Sequence, residues 1–202
     1  MAISKSLRNK KCQSGFALIE TMIAIFILAV GLLGAAALLA QLSGNSTTSR
    51  YMSTEALLAS EKLDDLNRLP PSDPAIAITS GNSAGSLISD KTDTVTVGAT
   101  SQSVAYFDTV QISSGDGAMV ETVTGVDAAG NATFQTITHS PDGTVTPTNT
   151  APAPAADMLV FKRRWIIDQN VPGLPVSSRR ITVLVSLQNS VKAANFQSSM
   201  VR

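Results

Sequence analysis

From Met22 to Ala40 the chain reads MIAIFILAVGLLGAAALLA, nineteen residues without a polar or charged side chain. At 1.5 Å per residue, a helix of this length crosses a hydrocarbon core of ~30 Å. A segment apolar on every side has no use for water, so it requires lipid or the apolar surface of other helices. Before it lie Lys5, Arg8, Lys10 and Lys11, with no acid among residues 1–15. The positive-inside rule therefore expects residues 1–15 on the cytoplasmic side. Without that cluster the chain has eleven basic and fifteen acidic residues, a formal −4. This mildly acidic body argues against general nucleic-acid binding, which depends on an excess of Lys and Arg.

Composition alone leaves three readings of the apolar run open. It fits a secretory signal peptide cut near Ala35-Ala36-Ala37 or Leu38-Leu39-Ala40, a plain single-pass anchor, or an assembly helix. Glu20 bears on the choice. A carboxylate at the head of an apolar run costs about 2.5–3.5 kcal/mol if carried to the membrane centre, and a plain anchor gains nothing from it. Residues 21–49 hold no Lys, Arg or His that would pair with it. Cleavage after Gly15 would create an α-amino group on Phe16, four residues before Glu20. On a neighbouring subunit displaced along the helix axis, that amine would meet Glu20 and neutralise it. A slipped neighbour would leave both charges buried and unpaired, so the pair would select one register.

A basic leader, Gly15, and then Phe16-Ala17-Leu18-Ile19-Glu20 resembles the type IV prepilin signal, and the further run ILAVGLLGAAALLAQ resembles the type IV pilus modification protein (PilV) group of minor pilins. The resemblance covers about residues 8–42. It implies that a prepilin peptidase cleaves after Gly15, that the new amine of Phe16 is methylated, and that Glu20 is the assembly glutamate. It also implies other pilin or minor pilin subunits as partners, with no cofactor. The protein would sit in the bacterial inner membrane before assembly, its N-terminus cytoplasmic and its head periplasmic. Two departures point away from a major pilin. Ala37 stands where many major pilins have a helix-kinking proline, and a mature chain without cysteine cannot form their C-terminal disulfide loop. Cys12, the only cysteine, precedes the apolar run and is read as incidental.

No proline occurs before Pro70-Pro71, which predicts one helix from Phe16 to about Leu69, spanning ~80 Å if continuous. Met52, Ala56, Ala59, Leu63 and Leu66 form an apolar stripe at helical spacing, while Glu55, Glu61, Lys62, Asp64 and Arg68 are expected to be solvated. Residues 43–50, SGNSTTSR, have poor helix propensity and mark a candidate break.

Beyond the helix, strands are expected at Thr94–Val97, Val104–Ile112, Ala118–Val126 and Ala132–Thr138, with a hairpin turn at Ala128-Ala129-Gly130-Asn131. Val104, Tyr106, Val110 and Ile112 share a face on which Asp108 is an exception. Leu159, Phe161, Trp165 and Ile167 share another, interrupted by Arg163. Ile181, Val183, Val185 and Leu187 alternate within Arg179–Gln188, so these last two strands predict an antiparallel hairpin. Asn195–Val201 is a candidate final strand. The Pro/Thr-rich stretch at about 140–156 reads as a linker or exposed loop.

Little here supports catalysis. His139, the only histidine, lies in a Thr-His-Ser-Pro-Asp-Gly turn, and no zinc spacing, phosphate-binding loop or nucleophile elbow is present. The residues therefore point to a protein that is not an enzyme, with no catalytic residue and no metal. Lys162, Arg163, Arg164, Arg179 and Arg180 would converge if their strands pair, offering a patch for an anionic ligand or nucleic acid. The same charges fit a solvated sheet face, or pairs with Asp157 and Asp168.

The expected fold is α+β and type IV pilin-like: a long N-terminal helix, membrane-spanning and then amphipathic, packed on a small antiparallel β-sheet. Its parts would be a cleaved leader at 1–15, the hydrophobic half-helix at 16–42, the amphipathic half at 43–69 and a β-rich head at 70–202. The expected function is a minor pilin. A type II secretion pseudopilin and a secreted domain behind an ordinary signal peptide are the alternatives.

Overall fold

A computed structural model of the chain describes residues 14–79, 81–97, 100–113, 115, 117–126, 132–151, 158–175, 178–188 and 195–201. The chain forms two compact units, one ending at Thr47 and the other running from Thr48 to Arg202. The helix α1 spans Ser14–Arg68 without the break anticipated at 43–50. Hydroxyls in and just beyond this stretch bond back to the preceding turn. Thr47 Oγ1 donates to Ser43 O, Ser53 Oγ to Ser49 O and Thr54 Oγ1 to Arg50 O, at 3.0–3.1 Å. Hydroxyls that elsewhere compete with a helix are here satisfied inside it. The helix stops before Pro70, whose ring disfavours the helical conformation of the residue ahead of it.

The second unit is built on an antiparallel sheet. Its strands are β1 (Ser83–Gly85), β2 (Thr92–Val97), β3 (Thr100–Ala105), β4 (Phe107–Ser113), β5 (Met119–Val126), β6 (Ala132–His139), β7 (Val145–Thr148), β8 (Met158–Gln169), β9 (Arg179–Leu187) and β10 (Asn195–Val201). Eight of these form one sheet in the order β10-β9-β8-β4-β5-β6-β7, with β1 also paired to β8, while β2 and β3 form a separate two-stranded sheet. This is the expected α+β class, with a larger sheet than anticipated.

The best-patterned strands pair as their alternation requires. Trp165 lies opposite Val183, Ile167 opposite Ile181 and Phe161 opposite Leu187, so the apolar residues of β8 and β9 share one face. The final strand β10 adds Phe196 opposite Val185 and Met200 opposite Ile181. Against this face pack Leu58, Ala59, Leu63 and Leu66 of α1, together with Tyr106 and Val110.

Four expectations are revised. The stripe of α1 is buried as expected at Ala59, Leu63 and Leu66, but Met52 is 46 % exposed, and Leu58 and Glu55 are buried as well. Lys62, expected in solvent, is also largely covered. The reason is that the sheet offers polar partners on its inner face, so hydrophobicity alone misplaces the contact line. The single strand expected at Val104–Ile112 is two strands in different sheets. At Tyr106 the backbone changes partner: its N–H donates to Lys91 O at 2.9 Å, and its carbonyl accepts from Trp165 N at 3.1 Å. Within the stretch expected to be a Pro/Thr-rich loop, Val145–Thr148 forms β7, exposed along its length and paired with β6. Pro147 is tolerated there because β7 is an edge strand. Strands β5 and β6 pair up to Val126 and Ala132; the turn expected at Ala128–Asn131 lies outside the described residues.

Candidate functional site

In the first unit, Gly15 and Phe16 fall in the opening turn of α1. Glu20 is exposed, and so are the apolar residues that follow it. Ile25, Phe26, Ile27 and Leu28 are consecutive and each is 63–69 % exposed. Successive helical residues point about 100° apart, so these four cover the full circumference. The helix is long and apolar enough to cross a membrane. Glu20 is the only ionisable residue between Leu18 and Leu42, and it has no ion-pair partner among the described residues. Its neighbour Thr21 turns its hydroxyl to Leu18 O at 2.9 Å, within the helix. The helix thus presents a continuous apolar surface carrying one carboxylate.

The five cations considered for an anionic-ligand patch do not converge. Arg163 points to the inner face of β8 and is fully buried, whereas Lys162 and Arg164 occupy the outer face. Both outer residues are tied to Asp90: Lys162 Nζ lies 2.5 Å from Oδ2, and Arg164 Nε 2.8 Å from Oδ1. Arg180 sits at the other end of the hairpin, bonded to Asp168 at 2.9 Å, the pairing the sequence had offered as the alternative. Arg179 donates to the carbonyls of Ile76 and Pro71. Asp157 lies outside the described residues. Each of the five is engaged by an acid or a carbonyl, and alternation plus register separates them. His139 ends β6, half-buried opposite Met119. No cluster of His, Cys, Asp or Glu suited to a metal occurs among the described residues.

The family model of the prokaryotic N-terminal methylation motif matches residues 10–36. The N-terminus is prepilin-like. The match contains Gly15, Phe16 and Glu20 and most of the apolar run, and supports a pilin-like or pseudopilin-like protein anchored in the membrane by this helix. No curated protein and no solved structure matches the chain.

The interior of the second unit holds a polar cluster that was only partly legible in the sequence. Asp108 and Arg163 were visible as exceptions on apolar strands; Lys62, Glu121 and Glu55 were not. Asp108 is 1 % exposed and bonded to Arg163, and Lys62 Nζ reaches it from α1 at 2.8 Å. Arg163 also contacts Glu121, with Glu61 at 3.7 Å. Burial by itself would raise the Asp108 pKa, but Lys62 and then Arg163 outweigh it and hold the carboxyl below its ordinary range. The same acids hold the Arg163 guanidinium firmly charged, against the effect of its burial. Lys62 also lies over the Trp165 ring, 4.5 Å from its centroid.

Glu55 is different. Its Oε1 accepts from Leu187 N at 3.2 Å, while Oε2 has no hydrogen-bond partner and the carboxylate no ion-pair partner among the described residues. Burial raises its pKa, opposed in part by the Leu187 hydrogen bond. The signal that would have found it is the spacing of Glu55, Leu58, Lys62 and Leu66, which places a carboxylate and an ammonium on the core line of one helix.

Proposed function

We propose that this chain is a minor pilin, processed by prepilin peptidase after Gly15, methylated on Phe16, and assembled through α1 into a type IV pilus that it initiates or modifies. The observation that carries the reading is Glu20, the lone ionisable group on an otherwise apolar helix surface and fifth in the processed chain. Such a carboxylate is costly in lipid and in an apolar bundle unless a cation meets it. The α-amino group of a neighbouring subunit, displaced by about one helical turn, is a cation that cleavage itself creates. Apolar contact between helices then supplies most of the association energy, and the ion pair selects the register.

In this reading residues 1–15 are the leader and 16–42 anchor the subunit in the inner membrane, with the N-terminus cytoplasmic. Residues 43–69 carry the head of 70–202. The partners are prepilin peptidase and other pilin or minor pilin subunits, the resemblance being to the type IV pilus modification protein (PilV) group. A type II secretion pseudopilin shares the motif and is the second reading; deleting the gene and scoring pili against secreted enzymes separates the two. Nucleic acid has no part in the proposal, since the cations that would hold it are already paired.

Mass spectrometry of the N-terminal peptide, with and without active prepilin peptidase, tests the processing. Methylated Phe16 appearing only with the peptidase supports it. A start near Gln41, or Met1 retained in both strains, would replace it with a secreted domain or a plain anchor. Glu20→Val tests assembly separately: the variant should be inserted and cleaved yet absent from sheared pili, and normal incorporation would refute the register argument.

A further inference from the structure

Beside the helix, the second unit contains two adjoining cavities. The first, about 310 Å³, lies between the last turns of α1, strand β3 and the inner face of the main sheet at Trp165. The second, about 590 Å³, continues along β3 towards β5 and β6 as far as Asn149. Gln102, Ser103, Val123 and Gln135 line both, so they form one cleft. Its size falls in the range of roughly 300–1,000 Å³ that small-molecule sites occupy.

The groups in the cleft say what would fit. Carboxamides of Gln102, Gln135 and Asn149 dominate the polar wall, and each both donates and accepts hydrogen bonds. Neither glutamine carboxamide is engaged by a described residue. The charged groups are confined to one end and largely committed elsewhere. Lys62 is held by Asp108 at 2.8 Å, and Asp73 Oδ1 caps the turn by accepting from Ala75 N at 2.9 Å. An anion would meet Asp65 and Asp73 at that end, while the rest of the cleft, from Gln102 to Asn149, is lined by no charged side chain among the described residues. Leu66, Val104 and Val123 add apolar side chains to the lining. Uncommitted two-way hydrogen-bonding groups beside apolar side chains, in the uncharged part of the cleft, match a neutral polyhydroxylated ring. Its hydroxyls meet the amides while its C–H face covers the aliphatic side chains.

We propose that this cleft binds a neutral sugar, as a monosaccharide or the end of a glycan. The inference is independent of the assembly reading, because the cleft lies wholly within the second unit and uses no residue of the first. Trp165 is the only tryptophan in the chain and lines the cleft, so its emission reports on the site directly.

The test uses the full chain in lauryldimethylamine oxide micelles, a detergent without sugar. Glucose, galactose, N-acetylglucosamine and cellobiose are titrated while Trp165 emission and calorimetric heat are followed. A saturable response to at least one sugar is expected, with half-saturation in the millimolar range. The double variant Gln102→Ala/Gln135→Ala removes surface amides without touching the core. It should weaken binding about tenfold, the effect of losing one or two neutral hydrogen bonds. Lys162→Ala, on the outer face, should leave binding unchanged. Silence in both readouts for all four sugars overturns the proposal, as does an undiminished response in the double variant. Saturation by trialanine, phosphate or arginine amide in place of the sugars would assign the cleft to another class and equally overturn it.

Discussion

Asp108 and Arg163 stand directly opposite each other in the β4–β8 ladder, and their side chains form a two-bond ion pair, Nε to Oδ1 at 2.6 Å and Nη2 to Oδ2 at 2.9 Å. Each alone breaks the apolar alternation of its strand; as partners they neutralise one another on the face that receives α1. Lys62 then ties the helix to the same carboxylate. Leu and Ala side chains on a helix tolerate sliding by a turn, whereas a buried ammonium tolerates only the position where its acid waits. The polar cluster thus sets the height at which the helix segment from Thr48 onwards docks on its sheet.

Removing one member should therefore cost much more than removing the pair. Arg163→Met leaves Asp108 buried beside Lys62 alone and is expected to destabilise the chain by about 3–5 kcal/mol. The double variant Asp108→Leu/Arg163→Met replaces both charges with apolar volume and, with Lys62 still 3.6 Å from Glu121, should recover part of that loss. Urea denaturation of the full chain in detergent, followed by Trp165 emission, measures both. Equal losses in the single and double variants would show that the pair contributes net stability of its own.

The two buried acids predict opposite pH limbs. The Asp108 pKa lies below its ordinary value of 3.8, so its contribution to stability is present above that value and is lost as pH falls through the lowered one. Glu55 has a pKa raised above 4.5, so its contribution is complete below that value and is lost as pH rises through the raised one. Glu55→Gln cannot ionise. Its stability relative to the parent chain should improve as pH climbs from 4 towards 8, by measured urea midpoints. Parallel midpoints across that range would mean that Glu55 is not desolvated.

Gly85 should accept no side chain. It has a φ of +88°, and a Cβ built on it would lie 2.3 Å from the Trp165 carbonyl oxygen and 3.0 Å from the Tyr106 ring. Neither neighbour yields easily, since the carbonyl belongs to a central strand and Tyr106 is fully buried. Gly85→Ala is expected to cost at least the ~1–3 kcal/mol of a strained backbone. It should also release β1 from β8, seen as faster amide exchange at Ser83–Gly85. Gly81→Ala, also at positive φ but with open space around it, is the control and should leave that exchange unchanged.

The four cations other than Arg163 should matter little to polyanions. The fourfold variant Lys162→Ala/Arg164→Ala/Arg179→Ala/Arg180→Ala spares buried Arg163 and is expected to leave DNA retention by the purified chain unchanged. A marked drop at low salt, restored by none of the single reversions alone, would reinstate the patch.

What could be read in advance follows the range over which each signal acts. The apolar run, Glu20 with Gly15 and Phe16 ahead of it, the stop at Pro70, and the strands β8, β9 and β10 all rest on local composition or on a period of two or 3.6 residues. Those features were legible from the sequence alone because their physical causes lie within a few residues of one another. The burial of Glu55 and Lys62, the change of sheet at Tyr106, the scattering of the five cations and the cleft beside β3 were decided only by tertiary structure. Asp108 and Arg163 are 55 positions apart, and Glu55 meets Leu187 across 132. A charge on an apolar face looks like an error until the fold brings its partner opposite, and no local pattern specifies which distant residue that partner will be.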